Sequence, residues 1–335
     1  MKFYSRQLFP FCALVFVFAL FSALAPERFL ALRNLVNILR VSSVTGIAAV
    51  GMTFVIIIGG IDLSVGAMLS LSAMVTAVSM LLFSGADMAM IANGEYVSLG
   101  LLPMLGGALC GIAVAGFCGF LNGELIARLK IAPFLATLGT MVVFRGGSLL
   151  INDGRPAMTS DCNWLDVGNV LGIPAAVVLF FAVLLAGGFL LQYTTFGRYI
   201  RALGSSPRTA LHVGIDITRL RVVVYTLCGV LVGVAGLIRM SRASGAYPFS
   251  AGVGLELDVI AAVLIGGASP SGGRGTMAGS LIGVLLVGVL RSGMTMLDIS
   301  IYWQMVTVGV LVLAALAGDR WESQHADIAR ENTGN

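Results

Sequence analysis

The chain has 335 residues, 58% of them hydrophobic and only 11% charged, with a formal net charge of +4. A soluble domain carries about a quarter charged residues, so this composition excludes a water-soluble fold. The five cysteines are odd in number, none stands in a C-x-x-C pair, and only His212 and His325 are present; neither a disulfide framework nor a metal site is suggested, and no cofactor is expected.

Cutting the chain at every Asp, Glu, Lys and Arg leaves ten long uncharged windows: 7–26, 41–61, 63–86, 96–123, 131–144, 167–197, 222–238, 259–273, 275–290 and 299–318. Roughly 20 helical residues cross the hydrocarbon core. The windows therefore predict an all-α, polytopic membrane protein of about ten transmembrane helices. Windows 131–144, 259–273 and 275–290 are too short to span comfortably and predict short or broken helices. Such helices are tolerated at depth only inside protein or beside a wet cavity. Residues 1–320 read as one transmembrane domain and 321–335 as a polar C-terminal tail.

Lys2 and Arg6, an apolar run and then "SALAPE" imitate a secretory signal with a small-residue cleavage site at Ala23 and Ala25. In "PERFLALRNLVNILR", Leu32, Leu35, Val36 and Leu39 recur at helical spacing, which predicts an interfacial amphipathic helix. Next comes "GGIDLSVG", Gly59 to Gly66, where one carboxylate stands between two apolar windows. An ionisable residue at membrane depth costs a few kcal/mol or more and usually faces a cavity or a partner. Asp62 has two compatible readings. As an N-cap of a helix starting near Leu63, it accepts from the backbone N–H of Ser64 or Val65. As a path residue, it bonds a passing hydroxylated substrate. A broken helix itself lines a path in many transporters, so Gly59, Gly60, Asp62, Ser64 and Gly66 are candidates for a helix break beside a translocation path.

Gly107, Gly111, Ala115, Gly119 and Gly123 recur every fourth residue, as do Gly275, Gly279 and Gly283. Small residues at that spacing let a second helix backbone approach closely.

Tyr193 to Arg221 holds five arginines against one acid, Asp216. Ser206 and Pro207 read as N-cap and first residue of a helix, and Gly214 as its stop. Only about two turns fit between them, too few to persist on propensity alone. A topogenic arginine loop and a docking helix both suit the segment. Further on, Glu256 and Asp258 precede an apolar helix and are candidates to cap it, or to meet a ligand or partner at the outer side or in the path. "GGASPSGGRG", Gly266 to Gly275, reads as a tight connection between two short helices; it has no Lys-Ser/Thr ending and so is no phosphate loop. Tyr302 and Trp303 read as interfacial anchors.

With both termini assigned to the cytoplasm, twelve Lys and Arg fall inside and eight outside. The positive-inside rule thus favours that orientation.

Four blocks, "GIAAVGMTFVIIIGGIDLSVG", "TTFGRYIRALGSSPRTALHVGI", "LELDVIAAVLIGGASPSGGRGT" and "IYWQMVTVGVLVLAAL", together resemble the membrane permease of bacterial ATP-binding-cassette importers for monosaccharides, the ribose and xylose type. The resemblance runs from about residue 10 to residue 318 with the blocks in family order. It implies a multi-pass protein of the bacterial inner membrane, surrounded by the lipid bilayer. Two permeases, either identical copies or homologues, would form the pathway, and a periplasmic sugar-binding protein would deliver the substrate. A separate ATPase would dock through the cytoplasmic coupling loop, about 193–221. The family's coupling residues would be Gly197, Arg198, Ala202, Gly204, Ser206, Pro207, Arg208 and Gly214. Where the family usually reads Gly-Gly-Asn, this chain has Gly204-Ser205-Ser206; serine caps a helix about as well as asparagine. Nucleic acid is not among the implied partners.

One independent feature agrees. The only lysines are Lys2 and Lys130, and neither closes a G-x-x-x-x-G-K-[ST] phosphate loop, so ATP-driven transport would need an ATPase on another chain. The alternative is a secondary transporter or facilitator. Ion coupling usually places several acids within spans, whereas only Asp62 and Glu124 interrupt the apolar pattern deeply. An intramembrane enzyme lacks any His, Cys or paired-carboxylate constellation here.

Overall fold

Each uncharged window contributes helix, because a backbone without water partners must bond within itself. The computed structural model describes residues 2–159, 162–170 and 172–333, with backbone alone for 2–7, 166, 167 and 319–333. In chain order the helices are α1 (Lys2–Leu24), α2 (Pro26–Phe29), α3 (Leu32–Ile57), α4 (Val65–Phe83), α5 (Met88–Asn93), α6 (Leu101–Ala127), α7 (Pro133–Leu150), α8 (Trp164–Val167), α9 (Ala175–Tyr193), α10 (Thr195–Ser205), α11 (Pro207–His212), α12 (Ile217–Ala243), α13 (Leu255–Ile265), α14 (Met277–Met296) and α15 (Ile301–Thr333). The two small sheets are antiparallel pairs: β1 (Ala157–Met158) with β4 (Gly245–Ala246), and β2 (Asn169–Val170) with β3 (Ile173–Pro174).

Among the described residues, eight helices are long and apolar enough to cross a membrane: α3, α4, α6, α7, α9, α12, α14 and the 301–318 part of α15. Residues Leu8–Leu24 form a shorter apolar stretch of α1. The chain is thus an all-α, multi-pass membrane protein. Of the three short windows, two extend past an arginine into full spans, α7 through Arg145 and α14 through Arg291. Only α13 stays short, at 11 residues. Of the tail 321–335, the backbone of 321–333 continues α15, and its side chains lie outside the described residues.

The bundle is organised around α3, whose apolar window is 83% buried, against 11% for α15. The expected interfacial helix is not separate. Residues 32–39 are the first turns of α3, because Asn34 and Ile38 are buried. Asn34 donates to the Phe29 carbonyl at 2.8 Å and accepts from Ser292 Oγ of α14 at 2.8 Å, which holds that end of α3 inside the protein. Phe21 of α1 and Phe29 complete a second apolar cluster with Val289, Leu290 and Met294 of α14.

The small-residue stripe of α6 is where two helices close in. A Cβ at Gly119 would meet the Tyr225 carbonyl of α12, one at Gly123 would come 2.7 Å from Val222 Cα, and one at Gly111 would meet Thr76 of α4. Likewise Gly279 and Gly283 of α14 lie against Gly266 and the Ala262 carbonyl, seating the short α13.

Candidate functional site: the helix break and the segment docked on it

Helix α3 ends in a Schellman turn. Gly59 takes the left-handed conformation, with φ +79°, which costs an L side chain and suits glycine. Gly60 N–H then donates to Val55 O at 2.9 Å and Gly59 N–H to Ile56 O at 2.9 Å. A side chain at Gly60 would collide with the Tyr225 hydroxyl of α12. The chain runs unwound to Ser64 before α4 begins at Val65.

Asp62 lies in that unwound stretch and is fully buried. Its Oδ1 accepts from Ser64 N–H at 2.8 Å and from Ser64 Oγ at 2.6 Å. The N-cap position itself is Ser64, whose side chain caps nothing. The carboxylate thus closes a local turn three residues ahead of Val65, two positions before the N-cap Ser64. Asn122 of α6 joins it: its Nδ2 donates to Ser64 Oγ at 2.8 Å and reaches Asp62 Oδ2 at 3.3 Å. Its Oδ1 accepts from Thr140 of α7 at 2.7 Å. Thr137, on the same helix, donates to the Ile61 carbonyl at 3.3 Å. A buried carboxylate is tolerated when its lone pairs are taken up in this way. Gly66, in the first turn of α4, leaves room for the Gly252 carbonyl and the carboxylate of Glu256.

The segment 193–221 holds the short helix expected between Ser206 and Gly214, preceded by a further helix, α10. Thr194 accepts from Gly197 N–H at 3.4 Å and starts α10. Gly197, Ile200 and Leu203 form its buried face, while Arg198 is exposed and Ala202 half-buried. Ser206 caps α11, accepting from Thr209 N–H at 3.3 Å, and Pro207 opens it. Gly214, with φ +79°, closes it, and Ile215 N–H donates back to Ala210 O at 3.1 Å. Pro207, Arg208 and Gly214 are exposed. Asp216 then caps α12, accepting from Arg219 N–H at 2.9 Å.

Break and segment meet at Gly204. Any side chain there would collide with the Ile57 carbonyl and the Gly273 amide. That amide in turn donates to Ile57 O at 2.7 Å, and Gly272 lies against Gly204 O and Gly59. Three stretches that are far apart in sequence, 57–60, 204–205 and 272–273, thus share one backbone junction. The connection between α13 and α14 is the wedge of that junction.

Glu256 and Asp258 are not caps. The N-cap of α13 is Gly254, φ +78°, without a side-chain bond, so both acids stand inside the first turn, where the dipole still favours them. Asp258 is turned to Arg291 of α14, Oδ1 to Nη2 at 2.6 Å. Sequence reasoning missed this pair, and with it Asn122, Thr140 and Tyr225. Cutting at charged residues hides amides and hydroxyls, and a partner 33 residues away leaves no local pattern.

Residues 34–316 match the family described as branched-chain amino acid transport system / permease component. The chain is 40% identical to the ribose import permease protein RbsC of Bacillus subtilis (strain 168), over 95% of this chain and 94% of that one. It is 37% identical to the Escherichia coli (strain K12) protein of the same name, over 92% and 91%. It is also 37% identical to the D-allose transport system permease protein AlsC of that strain, over 92% and 90%. No solved structure matches the chain. The chain belongs to this permease-component family, and it is a membrane-embedded transport component rather than an enzyme.

Proposed function

We propose that this chain forms the translocation pathway of an ATP-binding-cassette importer for a simple sugar in the bacterial inner membrane. The relatives carry the names of ribose, allose, fructose and L-arabinose permeases, so the substrate class is a pentose or hexose. A neutral sugar needs no charged site in the path, only weak hydrogen bonds, with most affinity left to a periplasmic binding protein. A second permease, the same or homologous, completes the pathway.

The observation that carries the reading is the surface of α10 and α11. Among Arg198, Arg208 and Arg219, α11 and its end present Leu211 and Val213 at 61% and 69% exposure. A two-turn helix with apolar residues in water is held for a partner. On its other side the segment rests on Ile57 and Gly273 through Gly204. A separate ATPase bound there would push on the α3–α4 break directly. The break, with Gly59, Gly60, Asp62, Ser64 and Gly66, is then the element that responds.

The test is recovery of partners from the host in mild detergent. Tagged parent brings down a nucleotide-binding subunit; a variant with Pro207→Glu and Arg208→Glu, which spoils α11 and inverts its charge, loses it. Failure of the parent to recover any ATPase, while a sister sugar complex survives the same detergent, would refute the proposal.

A further inference from the structure

A cavity of about 470 Å³ lies between α3, α12, α13, α14 and α15, apart from the junction at Gly204. Three arginines line it, Arg239 and Arg242 one turn apart on α12 and Arg291 on α14, against a single carboxylate, Asp258. Asp258 is already taken by Arg291. Among the described residues, Arg242 bonds only the neutral Asn37 amide oxygen, at 3.1 Å. Arg239 makes no hydrogen bond or ion pair among the described residues, and it is close enough to Arg242 for the two charges to repel. Two cations side by side and half-buried between membrane helices are costly without a counter-charge. Ser42 Oγ, also in the cavity wall, is buried and without a partner, as is Arg291 Nε. Arg239, Ser42 Oγ and Arg291 Nε are thus donors without a partner among the described residues, in the wall of one cavity whose positive charge exceeds its negative charge.

The rest of the wall says what kind. Val41, Val44, Val284, Val287, Met305 and Val308 make it apolar away from the arginines. The cavity adjoins the start of α15, where Tyr302 and Trp303 are exposed at 76% and 64%, as aromatic residues are at a headgroup level. A small soluble anion would satisfy the guanidiniums and leave that apolar wall unfilled. We propose that this cavity binds an anionic phospholipid, its phosphodiester between Arg239 and Arg242 and an acyl chain along the valines. The site belongs to the permease itself and does not depend on which solute is transported.

The test uses the full chain in detergent, with bound lipid counted by native mass spectrometry. Parent is offered phosphatidylglycerol or phosphatidylcholine of the same chains, with and without inorganic phosphate. Two arginines near an anionic headgroup contribute about 1 kcal/mol each and about 1.4 kcal/mol is tenfold, so parent is expected to retain phosphatidylglycerol about thirtyfold over phosphatidylcholine, and excess phosphate is expected not to displace it. Arg239→Gln with Arg242→Gln removes the preference; Arg239→Lys with Arg242→Lys retains it in part. Equal retention of both lipids by the parent overturns the proposal without need of any variant. Displacement by phosphate alone overturns it in favour of a soluble anion, and an undiminished preference in the Gln variant overturns the placement of the phosphodiester.

Discussion

Gly273 N–H donates to the carbonyl oxygen of Ile57 at 2.7 Å, joining the end of the central helix to a loop more than two hundred residues later. Gly204 fills the remaining space of the same junction and has no room for a β-carbon. Whatever displaces the segment around Gly204 must therefore move the last turn of α3 or break this contact.

Gly204→Ala is the smallest change that tests the junction. Its methyl group meets two backbone atoms, which cannot rotate away. Overpacking of this kind costs about 1–3 kcal/mol, so a lowered melting temperature in detergent and a large loss of sugar uptake are expected. Gly214→Ala, at a strained but open position, is expected to cost less and to leave most uptake in place.

Asn122→Leu removes an amide that serves Ser64, Asp62 and Thr140 at once. Unsatisfied buried groups cost about 1–3 kcal/mol, and thermal melting should register that full loss. Thr140→Val gives up one neutral bond, about 1 kcal/mol, and Thr140→Ser should restore it. Equal melting of Asn122→Leu and parent would remove the network from the account of the break.

The Asp258–Arg291 pair invites a double-mutant cycle. Removing one partner of a buried pair costs about 3–5 kcal/mol, while replacing both with apolar groups is often neutral. Asp258→Leu and Arg291→Met should each destabilise strongly, and the double variant should recover much of the loss. Additive losses would mean that the two side chains act independently.

Cys162 lies outside the spans, buried beside the β1–β4 pair, and burial pushes its thiol up to about 11. The thiolate is the reactive form, so at pH 7.5 Cys162 should resist iodoacetamide in the folded protein and react once it is unfolded. The folded state holds the proton more tightly than an ordinary thiol near 9. Its contribution to stability is therefore full below pH 9 and lost as pH rises through 11. Rapid labelling of folded protein at neutral pH would mean that this region opens in solution.

The spans were legible in the sequence because charge is so rare that each acid or arginine marks an interruption. The short helix between Ser206 and Gly214 was legible to the residue, since Ser206, Pro207 and Gly214 act through local backbone chemistry, whereas α10 and the Asp216 cap of α12 were not read. Asp62 was found by its isolation, though its carboxylate closes a turn ahead of α4 and does not cap it. What sequence could not show is long-range: that Gly204 meets Ile57, that Asn122 completes the Asp62 site, and that Asp258 belongs to Arg291. Residues 32–39 looked like a separate surface helix because the spacing of Leu32, Leu35, Val36 and Leu39 does not show that Asn34 and Ile38, between them, face inward.

The most direct measurement is solute uptake into proteoliposomes holding the chain with its ATPase and binding protein, with ribose, allose, fructose and L-arabinose offered in turn. Accumulation of at least one sugar, only with ATP and with all components present, is the predicted result. Sugar accumulation by this chain alone, driven by an imposed ion gradient and indifferent to ATP, would contradict the account.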